Sequence, residues 1–264
     1  MIVRSTAVAV VAALTALSAW AAPAEAGSCP REGMLGVERV LPVEIPAEGL
    51  MVGTKSHPTT LPLGPREIVL TFDDGPSGLV TDAVLAALEV ECVKATFFVV
   101  GQMAAAHPDQ LRRMAAAGHT IAHHSMTHVI MNTVSHAQGL ADVEKGWQTV
   151  DRILADGGSA QRPATPFFRY PGFARTKALD AVFTERRIGM FGADFWGSDW
   201  NPTTSEALLK QVLGRIEERG SGILLLHDIH AHTAAMVPAL LSELKVRGWK
   251  VVHIVPAERV ARTE

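Results

Sequence analysis

The chain has 264 residues, 48% of them hydrophobic and 19% charged, with a formal net charge of −3 at pH 7. That length allows one large domain or two small ones with an ample core. The acidic balance argues against a nucleic-acid binder that works by neutralising phosphates, and gives no reason for adhesion to an anionic membrane.

Arg4 precedes an uncharged run from Ser5 to Pro23, and Ala24-Glu25-Ala26 then supplies a small-x-small cleavage pattern. The layout over residues 1–26 is that of a secretory signal peptide. A permanent anchor is the competing reading, since the run is near the minimum length that spans a bilayer. The expectation is a secreted or periplasmic protein with no stable membrane span after processing. Cys29 and Cys92 are the only cysteines. An oxidising compartment favours a bridge between them, but sequence does not give their separation and two free thiols stay open.

Residues 27–65 are rich in Pro and Gly and lack helical periodicity, so they read as an N-terminal arm in which Val37–Val43 could start a hairpin. Residues 66–264 read as a single domain. Strand-like runs fall near 68–72, 95–100, 119–123, 167–170, 188–193, 223–227 and 250–255, and helix-like stretches near 80–90, 108–117, 136–155, 176–186, 204–219 and 233–247. This alternation predicts an α/β fold with a mostly parallel sheet and helices outside, either a barrel or an open doubly wound sheet. Gly118, Gly220 and Gly248 stand where C-terminal helix caps belong. No glycine-rich phosphate loop follows a strand, so nucleotide binding has no support.

In parallel β/α architectures the site lies at the carboxyl ends of the strands, and the chemistry-bearing residues fall there one after another. Asp73 and Asp74 end the first run, ahead of Gly75-Pro76. An apolar strand should not end in two carboxylates unless partners make the charge tolerable. His124 and His128 follow the third run, at the i, i+4 spacing that sets two imidazoles on one face of a turn. Two histidines and one carboxylate form a familiar zinc set, although iron, cobalt or nickel also fits. His119 opens its strand at the wrong end and reads as structural. His123 should point away from His124 and reads as a supporting group. Arg169 ends the fourth run and is placed to orient Asp73. Asp199 and Trp200 follow the fifth. His227-Asp228 closes the sixth, where a nearby carboxylate would keep the imidazole protonated as a proton donor. Asp199 is the first candidate for that carboxylate, with Asp194 and Asp228 as alternatives.

Together these segments resemble the polysaccharide deacetylases, the carbohydrate esterase family 4 with its NodB-homology domain, from about Arg66 to Pro256. The resemblance implies a distorted (β/α)7 barrel. It implies Asp73 as base, Asp74, His124 and His128 as metal ligands, and Arg169 as the tether of the base. A backbone N–H near Gly172 would help hold the oxyanion. Asp199 would orient His227, the general acid, and Trp200 would wall the groove. An apolar residue near the acetyl methyl would be Leu226 or Leu225. The implied activity is metal-dependent deacetylation of an acetylated polysaccharide or oligosaccharide, such as peptidoglycan, chitin oligomers or xylan, with zinc first and cobalt or nickel behind it. Two rival readings are an exported carbohydrate-binding protein without turnover and a metal-dependent hydrolase of a non-carbohydrate amide.

Overall fold

The computed structural model describes residues 32–156 and 165–257. The expected signal peptide and Cys29 lie outside the described residues. The elements run β1 (Arg39–Val43), β2 (Met51–Val52), β3 (Glu67–Asp73), α1 (Leu79–Val90), β4 (Thr96–Val99), α2 (Gly101–Ala106), α3 (Pro108–Ala116), β5 (Thr120–His123) and α4 (His136–Ala155). They continue with β6 (Phe167–Phe168), α5 (Lys177–Glu185), β7 (Gly189–Phe191), β8 (Phe195–Trp196), α6 (Ser205–Arg219), β9 (Gly222–His227), α7 (Ala231–Val246) and β10 (Lys250–Pro256). Every strand pairing is parallel.

Seven of these strands, β3 to β9, make the barrel wall: β9 joins β3, which continues through β4, β5 and β6 to β7, while β8 pairs on the far side of β9. Strand alternation divides the buried side chains between two layers. On β3, Ile68, Leu70 and Phe72 face outward into a cluster with Leu88 of α1, Val212 of α6 and Leu240 of α7. Val69 faces inward with Phe98, Phe167, Phe191, Val252 and Ile254. Burying each such side chain contributes about 1.5–3 kcal/mol, and the strands are apolar on both faces because both are covered.

The helices start where the chemistry allows. Ser135 caps α4 in a reciprocal box with Gln138, and Thr204 caps α6 by accepting from Ala207 N–H. Gly220 ends α6 at φ 80, a left-handed cap that costs glycine nothing.

The wall is distorted on two sides. Ile68 pairs with both Gly222 and Val251, while Thr71–Asp73 pair with both β9 and β4. Hence β10 and β4 share one edge of β3 and must splay apart. The second distortion lies between β7 and β8, which do not pair with each other. There the arm intervenes, and it is not the hairpin expected from Val37–Val43. β1 pairs with β10 and β2 pairs with β7, so the arm's two strands join distant parts of the sheet instead of each other.

Candidate active site

Asp73 is the last inward-facing residue of β3 and is almost fully buried. Its charge is met by Arg169, which is 0% exposed and donates from Nη1 to Asp73 Oδ1 at 2.6 Å. Arg169 follows β6 on the same inward face as Phe167. Its other donors reach Thr71 Oγ1 at 2.9 Å and the Gly192 carbonyl at 2.7 Å, and its guanidinium carbon lies 4.0 Å from the Phe98 ring centre. A fully buried guanidinium is tolerable only with its donors satisfied in this way.

Asp74 lies one residue beyond the strand, in a left-handed conformation at φ 79, and so leaves the direction of Asp73. Its Oδ1 is 3.5 Å from His124 Nε2 and 3.4 Å from His128 Nε2. The backbone turns at Ser125 and His128, both at positive φ, bring the second imidazole round to the first. His124 Nδ1 donates to the Arg169 carbonyl at 2.7 Å, which leaves Nε2 as a lone pair facing Asp74. Burial lowers the pKa of His124 against the attraction of Asp73 and Asp74, and the neutral imidazole is the ligating form.

Asp74 Oδ1 is buried with no hydrogen-bond partner. A carboxylate oxygen and an imidazole lone pair facing each other repel unless a cation lies between them. Asp74, His124 and His128 therefore fit a divalent metal, each offering one atom within 4.8 Å of the others.

Across the pocket, His227 ends β9 on the inward face. Its Nδ1 donates to Asp199 Oδ1 at 2.8 Å, and its backbone N–H donates to Asp199 Oδ2 at 2.7 Å. Thr233 Oγ1 donates to the same Oδ2 at 2.7 Å, and His232 Nε2 donates to the Asp199 carbonyl at 2.7 Å. Burial opposes a charge on either partner. For His227 the Asp199 hydrogen bond and the charges of Asp199, Asp73 and Asp74 prevail and push the pKa up to about 9. For Asp199 the hydrogen bonds of His227 and Thr233 prevail and hold its carboxyl below the usual range. Nε2 of His227 is 3.9 Å from Asp74 Oδ2, so the protonated imidazole looks onto the Asp74–His124–His128 cluster.

Several sequence expectations shift. Asp228 is not the partner of His227; its Oδ1 accepts from Gly75 N–H at 3.0 Å and its Oδ2 lies 2.7 Å from Thr81 Oγ1. Asp194 is not that partner either, since it accepts from Thr54, Thr60 and Ile223 N–H. His123 supports no ligand: it faces outward, stacked on Trp147 with ring centres 3.6 Å apart. His119 is structural, its Nδ1 accepting from Ala95 N–H. Leu226 faces outward, in the cluster that holds Phe72 and Leu224. Strand alternation leaves Leu225, not Leu226, on the face of His227. Trp200 is 49% exposed, with its ring edge-on to His227 at 5.7 Å between centres. Trp196, by contrast, has Lys55 Nζ 4.4 Å from its ring centre. Gly172 turns the chain after Pro171 at φ 57, a conformation that suits glycine. Sequence reading missed Thr71, Gly192, His232 and Thr233, because a hydroxyl or a carbonyl carries no pattern until its partner is placed.

The fold and the site define a class: a parallel α/β barrel with its carboxylates, imidazoles and guanidinium gathered at the carboxyl rim. A polysaccharide deacetylase family model matches residues 61–187. The chain is 34% identical over 170 residues to a Sinorhizobium fredii chitooligosaccharide deacetylase, covering 62% of this chain and 73% of that protein. A Bacillus cereus peptidoglycan-N-acetylglucosamine deacetylase is 29% identical over 187 residues, covering 69% of this chain and 66% of the enzyme. Among solved structures, a Bdellovibrio bacteriovorus peptidoglycan deacetylase superposes with a TM-score of 0.76 at 33% identity, over 88% of this chain and 62% of that one. This chain thus spans just under two thirds of the length of the Bacillus and Bdellovibrio proteins. It belongs to the polysaccharide deacetylase family, with the NodB-homology domain of carbohydrate esterase family 4.

Proposed function

We propose that this chain is an exported, metal-dependent deacetylase that removes N-acetyl or O-acetyl groups from a polysaccharide or oligosaccharide. The observation that carries the reading is the facing of two supported groups, Asp73 on Arg169 and His227 on Asp199, across the Asp74–His124–His128 cluster. Relatives acting on peptidoglycan and chitooligosaccharides make those glycans the first substrates to try. No helix among the described residues is long and apolar enough to cross a membrane.

Asp74, His124 and His128 would hold the cation, with zinc the first candidate and cobalt or nickel next. When bound, it supplies Lewis acidity to an acetyl carbonyl and acidity to a water. Asp73 is the base: it takes the proton from the water as the water oxygen attacks the acetyl carbon. Arg169 fixes which way that carboxylate faces and balances its charge. The Gly172 N–H stabilises the developing oxyanion. His227, held protonated by Asp199, gives its proton to the departing amine or alcohol, and the bond from the acetyl carbon to that nitrogen or oxygen breaks to leave acetate. Leu225 lies on the strand face toward the acetyl methyl, and Trp200 offers an exposed ring for a sugar face.

The test is acetate release from acetylated glycans of several kinds, before and after chelation and after restoring zinc, cobalt or nickel. Release that a chelator does not diminish would remove the metal from the proposal, and no release from any glycan would remove the enzyme.

A further inference from the structure

The Arg169 guanidinium that orients Asp73 is held from behind by two successive main-chain carbonyls, closely by Gly192 O at 2.7 Å from Nη2 and more loosely by Phe191 O at 3.4 Å from Nε. Gly192 lies where β7 and β8 fail to pair, so no strand of the barrel wall fixes it on that side. The arm does. Gly192 N–H donates to Val52 O at 2.6 Å, and Lys55 N–H donates to Ala193 O at 2.8 Å. Gly53 lies flat against this segment at φ 101; a Cβ there would come within 2.5 Å of the Gly192 carbonyl carbon. Two residues on, the buried Asp194 carboxylate ties the same segment down. Its Oδ1 accepts from Thr54 N–H at 3.0 Å and Thr54 Oγ1 at 2.9 Å, and its Oδ2 accepts from Thr60 Oγ1 at 2.5 Å and Ile223 N–H at 2.8 Å. One carboxylate thereby joins the arm, the gap segment and β9.

We infer that residues 52–60 of the arm act as a positioning strap: by clamping Gly192–Asp194 they hold the carbonyl that holds Arg169, and through it they set the position of Asp73. These arm residues precede the span matched by the family model, which begins at residue 61. The inference rests on the deacetylase reading for its kinetic consequence and on geometry alone for its structural one. Small displacements of a reacting group are costly, a shift of about 1 Å being able to lose roughly a hundredfold in rate. The cation cluster does not touch the strap: the side chains of Asp74, His124 and His128 face one another, and His124 Nδ1 meets the main-chain carbonyl of Arg169 rather than its guanidinium.

Thr54 and Thr60 are exposed, so replacing them spares the core. The paired variant Thr54→Val with Thr60→Val removes both hydroxyl donors from Asp194, the pair Thr54→Ser with Thr60→Ser restores them, and Gly53→Ala pushes directly on Gly192. In zinc-loaded protein acting on N-acetylglucosamine oligomers, the Val pair and Gly53→Ala should lose about ten- to a hundredfold in kcat. KM should stay within about twofold and zinc stoichiometry should be unchanged, while the Ser pair returns to the wild-type rate. In nitrogen-15 NMR the Arg169 guanidinium protons should exchange faster in the Val pair than in the wild type. A folded Val pair with wild-type kcat and unchanged exchange would overturn the strap. So would a Ser pair as damaged as the Val pair, or a Val pair that no longer folds, since the arm would then be a structural clamp. If the wild-type protein releases no acetate, the deacetylase reading fails while guanidinium exchange still decides for or against the strap.

Discussion

The two charged pairs flanking the pocket look alike and work in opposite senses. Arg169 meets Asp73 at 2.6 Å and His227 meets Asp199 at 2.8 Å, each a cation on a buried carboxylate. In the first pair the cation cannot release its proton at any working pH, so the carboxylate is the group left to react and the guanidinium is its support. In the second the cation can release its proton, and the carboxylate is the support. In the proposed mechanism one architectural device, a carboxylate locked to a cation, yields a base on one wall and an acid on the other. Only the proton affinity of the cation decides which.

The largest effect that would test this contrast comes from cutting the first pair. Arg169→Ala strands Asp73 in the barrel interior and should cost about 3–5 kcal/mol of stability, read as a lower urea midpoint. An unchanged midpoint would mean that water reaches the site freely. Asp73→Asn should keep bound zinc, measured by metal analysis, yet lose roughly a hundredfold or more in kcat. Asp74→Ala should instead lose the metal itself, and equal metal loss in both variants would abolish the distinction between neighbouring carboxylates.

The second pair is tested by titration. His227 gains affinity for its proton on folding, so the stabilisation it contributes is full below the ordinary histidine pKa and is lost as pH rises through about 9. NMR titration of metal-free protein should find the His227 midpoint near that value, and Asp199→Asn should move it down toward the ordinary range of about 6.5. A midpoint insensitive to Asp199 would dissolve the pair. The smallest expected effect is at Trp200→Ala, a rise in KM of a few-fold with kcat nearly kept, corresponding to about 0.5–1.5 kcal/mol for a lost aromatic contact.

Much of this is legible in the sequence, because rim placement in a β/α fold follows from strand order alone. Asp73, His124, Arg169 and His227 each sit at the end of an apolar run, and the structure brings all of them to one rim. What was not readable has a common cause. β1 and β2 find partners only in distant strands, so their local sequence carried no sign of parallel pairing and suggested a hairpin instead. β8 is a mere two residues, Phe195–Trp196, and passed for a loop. The choice between Leu226 and Leu225 stays open in the sequence, because in a strand buried on both sides, Leu224–Leu226, composition does not tell inside from outside. His227 itself supplied the register that settles it.

The pairing of β1 with β10 also orders events in time. Glu38 and Lys250, which form an ion pair at its edge, are 212 residues apart in the chain. During synthesis the amino-terminal strand emerges first and must wait for nearly everything else before its partner exists. Contacts of such long range make folding slow, and until β10 arrives β1 has no strand to pair with. If the chain is exported, as proposed, that delay works in its favour, since a chain whose β1 is paired last remains threadable for longest.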